Sequence, residues 1–316
     1  MLGSVRSMTV WRLWAFATAL CALGAAPSIP DRTRVALDRV MGTRGEYIPE
    51  ESAYRFILPR TDISVRIGPM GLTPRQAPRS WVTFGPSVHH EAIVNGELVL
   101  REHEVNPVLS TALNAGLSAT GLGVTLASGE PRLLSLSLTG EGRYEALASA
   151  FRQALDEVRH VRIGSGHPVA GGAVPPRVVS AIDASQIDEI LSMRGVAADG
   201  IYRSAVGRVA LLGGTPVGRE MGIRTTISLL GTSRRAFADA EFAVTGDELQ
   251  PVLLALRAKD LNIGSIRNHL VGEHPQIVFV RVSGYGAAAD LARALRYALD
   301  VQVGAVPAPA PAGKLQ

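Results

Sequence analysis

The chain has 316 residues, a formal net charge of +4, 47% hydrophobic and 19% charged residues, and a single cysteine. This balance excludes a disordered chain, and the composition excludes collagen-like, coiled-coil and disulfide-framework classes. The length suits two domains of ordinary size.

Residues 1–28 read as a signal peptide. Arg6 and Arg12 form a basic start, and Leu13–Leu23 is an apolar run too short for a permanent membrane span. Ala22-x-Gly24 fits small-x-small cleavage, whereas cutting after Ala26 would put Pro27 first. Leu20 precedes Cys21 where lipidation wants a small residue, which disfavours a lipid anchor. Cleavage removes two arginines, so +4 becomes +2, and it also removes the one cysteine. The exported product then has no thiol chemistry, no electrostatic case for nucleic-acid binding and no membrane span.

Repeat unit 1 covers residues 29–160. It opens with a short helix at Arg34–Met41. Period-two alternation predicts strands at Phe56–Leu58, Ile63–Ile67, Trp81–Phe84 and Ala92–Leu100. An amphipathic helix at Glu104–Ala115, a strand at Leu133–Leu138 and a closing helix at Tyr144–Val158 follow. Residues 161–180, containing GSGHPVAGGAVPPR, form a linker. Repeat unit 2 covers 181–303, with helices at Ser185–Met193, Glu248–Lys259 and Ala287–Leu299 and a strand at Ile277–Val282. Residues 304–316 are a Pro/Ala-rich tail.

The two units are copies of each other. Residues 103–155 laid on 247–299 without a gap give 15 identities in 53 positions, against roughly four or five expected from composition. Pro107/Pro251, Pro131/Pro275 and Gly140/Gly284 are among them, so turns are shared as well as core positions. Upstream, Ala53–Phe56 parallels Ile201–Ser204 and Ser80–Phe84 parallels Thr225–Leu229. Ile93–Glu97 is set against Ala243–Asp247, which gives the first copy extra residues before its helix. The fold expected is α+β, two tandem copies of one unit, each a largely antiparallel sheet with flanking helices.

Candidate chemistry concentrates in the second copy. Arg267-Asn268-His269 interrupts an apolar stretch and is placed in a helix-to-strand connection. His269 there could ligate a metal or transfer protons and Arg267 could bind an anion, unless the stretch is a solvated turn. His269 and His274 have a spacing that can share a metal, with Glu273 or Asp239 as the further ligand, or His274 simply precedes the turn Pro275. Arg281 interrupts a strand and should point away from Val280 and Val282. Beside Arg267 and His269 it would complete an anion site, and alone it would face solvent. The counterparts in copy one are Gly123, Val124, Thr125 and Ser137, so such a site would be single. Thr245-x-x-Glu248 fits a capping box better than an acid pair, whereas Glu104 has Arg101 at the cap and stays open to a site role. His89, His90, Glu91 and His103 form a weaker cluster. Gly121-x-Gly123 and Gly164-x-Gly166 lack phosphate-loop spacing.

Pro59-Arg60-Thr61-Asp62, Ser80–Phe84, Val94–Leu100 and Glu104–Val108, together with Met221–Arg296 in the second copy, resemble the LppY/LpqO-type family of bacterial exported proteins. The resemblance spans about residues 33–301 and implies a largely uncharacterised tandem domain. It also implies a His-Asn-His motif and a further strand histidine, as in a metal or proton-transfer site. Here Arg267 and Arg281 stand in two of those places, which weakens a divalent metal and favours an anionic ligand. Three functions stay in play. These are an exported protein binding a small anion near Arg267, Asn268, His269, Glu273, His274 and Arg281, an enzyme using His269 as acid/base or metal ligand, and a degenerate structural envelope protein.

Overall fold

The computed structural model describes residues 28–68, 70–164 and 181–309, so the expected leader and most of the expected linker lie outside the described residues. Unit 1 begins with α1 (Asp31–Met41), β1 (Glu46–Ile48) and β2 (Ala53–Pro59). It continues through β3 (Val65–Ile67), β4 (Met70–Leu72), β5 (Arg79–Gly85) and β6 (Ala92–Arg101). It closes with α2 (Glu102–Asn114), β7 (Ser118–Val124), β8 (Gly129–Glu130), β9 (Leu133–Gly142) and α3 (Tyr144–Gly164).

Unit 2 repeats that order. It runs α4 (Ala184–Leu191), β10 (Gly195–Ala198), β11 (Ile201–Gly207), β12 (Ala210–Leu212), β13 (Thr215–Val217) and β14 (Arg224–Gly231). Then come β15 (Ala236–Thr245), α5 (Gly246–Arg257), β16 (Asn262–Asn268), β17 (Glu273–His274), β18 (Ile277–Gly286) and α6 (Ala288–Gln302). The sheets match as well. The order β1-β2-β5-β6-β9-β7 in unit 1 is repeated as β10-β11-β14-β15-β18-β16 in unit 2, antiparallel throughout. The α+β tandem architecture is therefore as the sequence implied.

The strand register corrects one alignment. Ala92 pairs with Gly142 and Ala236 with Gly286, so β6 and β15 are equal strands at the same offset of 144. Glu97 is thus the counterpart of Glu241, and Asn95 of Asp239; no extra residues precede α2. The additional residues of copy one fall earlier, between β2 and β6. The closing helix α3 also continues to Gly164, into the stretch expected as linker.

One face of each large sheet carries the helices. Leu37, Val108, Phe151 and Ala154 pack on Phe56, Val82, Val94 and Leu136 in unit 1, and Ile187, Val252, Leu295 and Ala298 pack on Tyr202, Ile227, Phe242 and Val280 in unit 2. Each fully buried large side chain contributes about 1.5–3 kcal/mol. Paired polar locks recur in both copies. Tyr54 OH and Gly45 N donate to Asp38 at 2.7 and 2.9 Å, as Tyr202 OH and Gly195 N donate to Asp188 at 2.7 and 2.8 Å. The Thr245 N–H donates to Glu248 at 3.0 Å in the expected capping box. Glu104 closes an equivalent box on the Arg101 N–H at 2.7 Å and receives both Arg60 amino groups at 2.8 and 2.9 Å, which accounts for this buried carboxylate structurally.

The opposite faces of the two large sheets meet each other. The small sheet β3-β4-β8 of unit 1 brings Ile63, Val65, Ile67 and Leu72 onto Ile201, Leu230 and Phe237 of unit 2. In return, Ala210, Val217, Met221 and Ile223 of unit 2 cover Ile93 of unit 1. Each repeat therefore caps the other's sheet.

Candidate functional site

Where the sheets face each other, β7 crosses β16. Gly121 and Gly123 are required there: a methyl on Gly121 would collide with the Asn268 carbonyl oxygen, and one on Gly123 would lie 2.7 Å from Arg267 Cδ. These glycines form no phosphate loop. Their missing side chains let Arg267 pass over β7 into the first repeat.

Arg267 and Asn268 end strand β16, not a connecting loop, and His269 follows directly. Buried Arg267 donates to Glu97 of unit 1 at 2.6 Å, to Glu241 of unit 2 at 2.9 Å and to Ser137 Oγ of unit 1 at 3.0 Å. Arg281 lies on the same face, opposite Val280 and Val282 as the strand period requires. It pairs with Asp239 at 2.7 Å and with Glu241 at 3.4 Å. The two arginines therefore share Glu241. Copy one has Gly123 and Ser137 in their places, so both cations come from unit 2 and one of the carboxylates from unit 1.

His269 is 2% exposed. The Asn95 amide donates to the Met221 carbonyl and to His269 Nε2 at 2.9 Å, so Nδ1 carries the proton and donates to Ser137 Oγ at 3.1 Å. The ring lies between Trp81 and Phe279, with centroids 5.6 and 5.3 Å away. Burial lowers its pKa to about 4 against the pull of Glu97, which keeps the imidazole neutral. Glu97 has the opposite shift: burial raises it, but Arg267, His269 and Arg281 hold it down to about 2. Asp239 is raised by burial to about 6, with Arg281 opposing and Glu241 adding to the rise.

Glu97, Asp239, Glu241, Arg267, His269 and Arg281 line a cavity of about 500 Å³ between the two sheets. The apolar wall includes Trp81, Val99, Ile201, Leu230 and Phe237. Arg224 enters on β14 and stacks over Trp81 at 5.7 Å, while Arg203 enters on β11, level with Ser228. Arg203 is thus four residues along from Arg224, about 13 Å in an extended strand.

Arg267, His269 and Arg281 come together as expected, but the other candidates do not join them. Asn268 contributes its carbonyl to the β7 crossing. Glu273 is buried and accepts the Ile277 N–H at 2.9 Å, bracing the turn. His274 is exposed on β17, paired with Leu211, and none of these three lines the cavity. Among the described residues, no three His, Cys, Asp or Glu side chains converge as a metal site requires. His89, His90 and His103 are exposed and outside the cavity lining. Glu97, Glu241, Trp81, Asn95, Arg203 and Arg224 were not singled out from sequence. Extending the offset of 144 upstream to Glu97/Glu241 would have marked the first two.

No curated protein matches the chain. Among solved structures, a trimeric bacterial microcompartment shell protein PduB aligns over 82% of this chain and 91% of its own, at 9% identity and a TM-score of 0.22. The fused permuted hexameric shell protein MSM0275 from the RMM microcompartment aligns over 67% of this chain and 81% of its own, at 18% identity and a TM-score of 0.17. Scores this low carry no argument about fold or function. Residues 35–157 and 185–301 each match one family, described as Domain of Unknown Function (DUF1259). The chain belongs to that family and carries its domain twice, once in each repeat.

Proposed function

We propose that the protein is an exported binding protein of the LppY/LpqO type that takes a small anionic molecule into the cavity between its repeats. The observation that carries this reading is the charge of the lining. Seven arginines (Arg79, Arg194, Arg203, Arg219, Arg224, Arg267, Arg281) stand against three carboxylates, Glu97, Asp239 and Glu241. A half-enclosed site with that surplus attracts and orients an anion.

The roles of the candidates follow from their pairing. Arg267 and Arg281 are engaged by carboxylates, so they form a rigid cationic floor; their Nε groups have no partner among the described residues. Arg203 and Arg224 pair with no carboxylate among the described residues and reach the ligand directly. Proton transfer by His269 has less support, because both its ring nitrogens are engaged by Asn95 and Ser137.

Thermal unfolding in a panel of phosphate, sulfate, succinate and benzoate, at matched ionic strength, tests the reading. An anion present at 100 times its Kd stabilises the fold by about 2.7 kcal/mol. At least one anion should raise Tm, and Arg203→Met with Arg224→Met should remove the rise. A folded protein that no anion stabilises would overturn the reading.

A further inference from the structure

The duplication relates two sets of arginines between the sheets, and their surroundings differ in charge. Arg79 and Arg224 are equivalent, since each begins its strand and pairs with the matching residue of the preceding one, Pro59 or Gly207. Arg55 and Arg203 are likewise equivalent on β2 and β11. Four residues before Arg224 stands Glu220; four before Arg79 stands Arg75.

That exchange decides which arginine lacks an anion. Arg55 pairs with Glu220 from the other repeat and with Glu46 at 2.7 Å. Among the described residues Arg203 donates to the backbone carbonyl of Arg75 at 3.2 Å and to no carboxylate, while the Arg75 side chain pairs with Asp199 at 3.3 Å. Burial and the adjacent Arg79 depress the Arg203 pKa, and only Asp199 opposes them. Arg79 and Arg203 both line the cavity, and among the described residues neither forms a salt bridge with a carboxylate.

The row of Arg203 itself continues into Ser228 and Asp239, and its flank is apolar. In the sheet of unit 2, the row beside Arg203 is Ile201, Leu230 and Phe237. Leu72 and Val99 of unit 1 close over it, and all five line the cavity.

We infer that Arg203 and Arg79 form the head-group subsite, and that the ligand is an organic anion, carboxylate or phosphate monoester, with an apolar body lying on Ile201, Leu230 and Phe237. This placement rests on the reading of the cavity as an anion site. A planar guanidinium without a carboxylate partner binds an oxyanion through two parallel N–H donors, and the apolar row excludes water from the rest of the molecule.

Calorimetric titration of the full mature chain with octanoate, acetate and octanol tests it. Octanoate should bind about tenfold or more tighter than acetate, the head alone, and than octanol, the body alone. Arg203→Met should weaken octanoate about tenfold or more. Arg75→Glu, at an exposed site, places a carboxylate where copy two has Glu220; it should weaken octanoate as strongly while the loss of the exposed pair with Asp199 costs less than about 1 kcal/mol and leaves the chain folded. This second variant decides the matter where Arg203→Met fails to fold. Octanoate binding no tighter than acetate, or unchanged in Arg75→Glu, overturns the placement. If acetate or phosphate still binds and Arg224→Met abolishes it, the cavity reading stands without this subsite. If no anion binds, both fall.

Discussion

Arg267, at the end of β16 in the second repeat, donates to Glu97, in the middle of β6 in the first, at 2.6 Å. Its other amino group reaches Ser137 of the first repeat, and the same Nη2 holds Glu241 of its own. One buried cation therefore joins two carboxylates that the duplication made equivalent. Copy one supplies no cation of its own at that point, so the repeats are bound by an asymmetric exchange.

Removing that cation should be severe. Arg267→Met leaves Glu97 and Glu241 buried without their shared partner and should cost about 3–5 kcal/mol in chemical denaturation. Arg293→Met, on an exposed pair with Asp290, should change stability by less than about 1 kcal/mol. Equal losses in the two variants would contradict the joining role.

Gly121→Ala should destabilise by about 1–3 kcal/mol, because the collision is with backbone of the other repeat and cannot be relieved by a side-chain turn. Gly246→Ala places a methyl in open space at the start of α5 and should be neutral or stabilising by up to about 1 kcal/mol. Thermal unfolding of the two variants side by side measures the difference.

The pH profile contains opposing contributions. Unfolded, His269 titrates near 6.5, while folded it waits until about 4, so stability falls as pH falls through that window, by up to about 1.4 kcal/mol per unit. Asp239 has the reverse sign: folded near 6 and unfolded near 3.8, it adds stability as pH falls between those values. Glu97 contributes stability that is present above 4.5 and lost as pH falls toward about 2. Asp239→Asn removes the offset, so its stability should fall more steeply than that of the parent between pH 6 and 4. Parallel slopes in denaturation series across that range would refute the assignment.

Neutralising Glu241 should separate stability from binding. Glu241→Gln weakens the shared anchor of Arg267 and Arg281, lowering stability by about 1–3 kcal/mol, yet it raises the cavity's positive charge. The octanoate affinity should then increase several-fold; a decrease would place the carboxylate in direct service of the ligand.

Much of this was legible in the chain. Paired prolines and glycines at a constant offset exposed the duplication, and strand period put Arg281 opposite Val280 and Val282. The grouping of Arg267, His269 and Arg281 was legible for the same reason, since all three lie close in one repeat. What escaped was whatever crosses between repeats. Glu97, Asn95, Ser137 and Trp81 sit more than 120 residues from Arg267, and no local pattern marks a partner at that distance. The alignment of Ile93–Glu97 with Ala243–Asp247 also hid the equivalence of Glu97 and Glu241, because a six-residue shift pairs the wrong strand positions. Arg203 was missed because its signal is an absence: Arg75 stands where symmetry would place a glutamate, visible only once strand register makes Arg79 and Arg224 equivalent.

The central claim, that the cavity shared by the repeats attracts anions, is tested most directly by anomalous scattering from bromide soaked into crystals of the protein. Bromide should occupy the cavity beside Arg203 and Arg79 more fully than any surface site. Ordered bromide elsewhere on the surface, with none between the two sheets, would contradict the account.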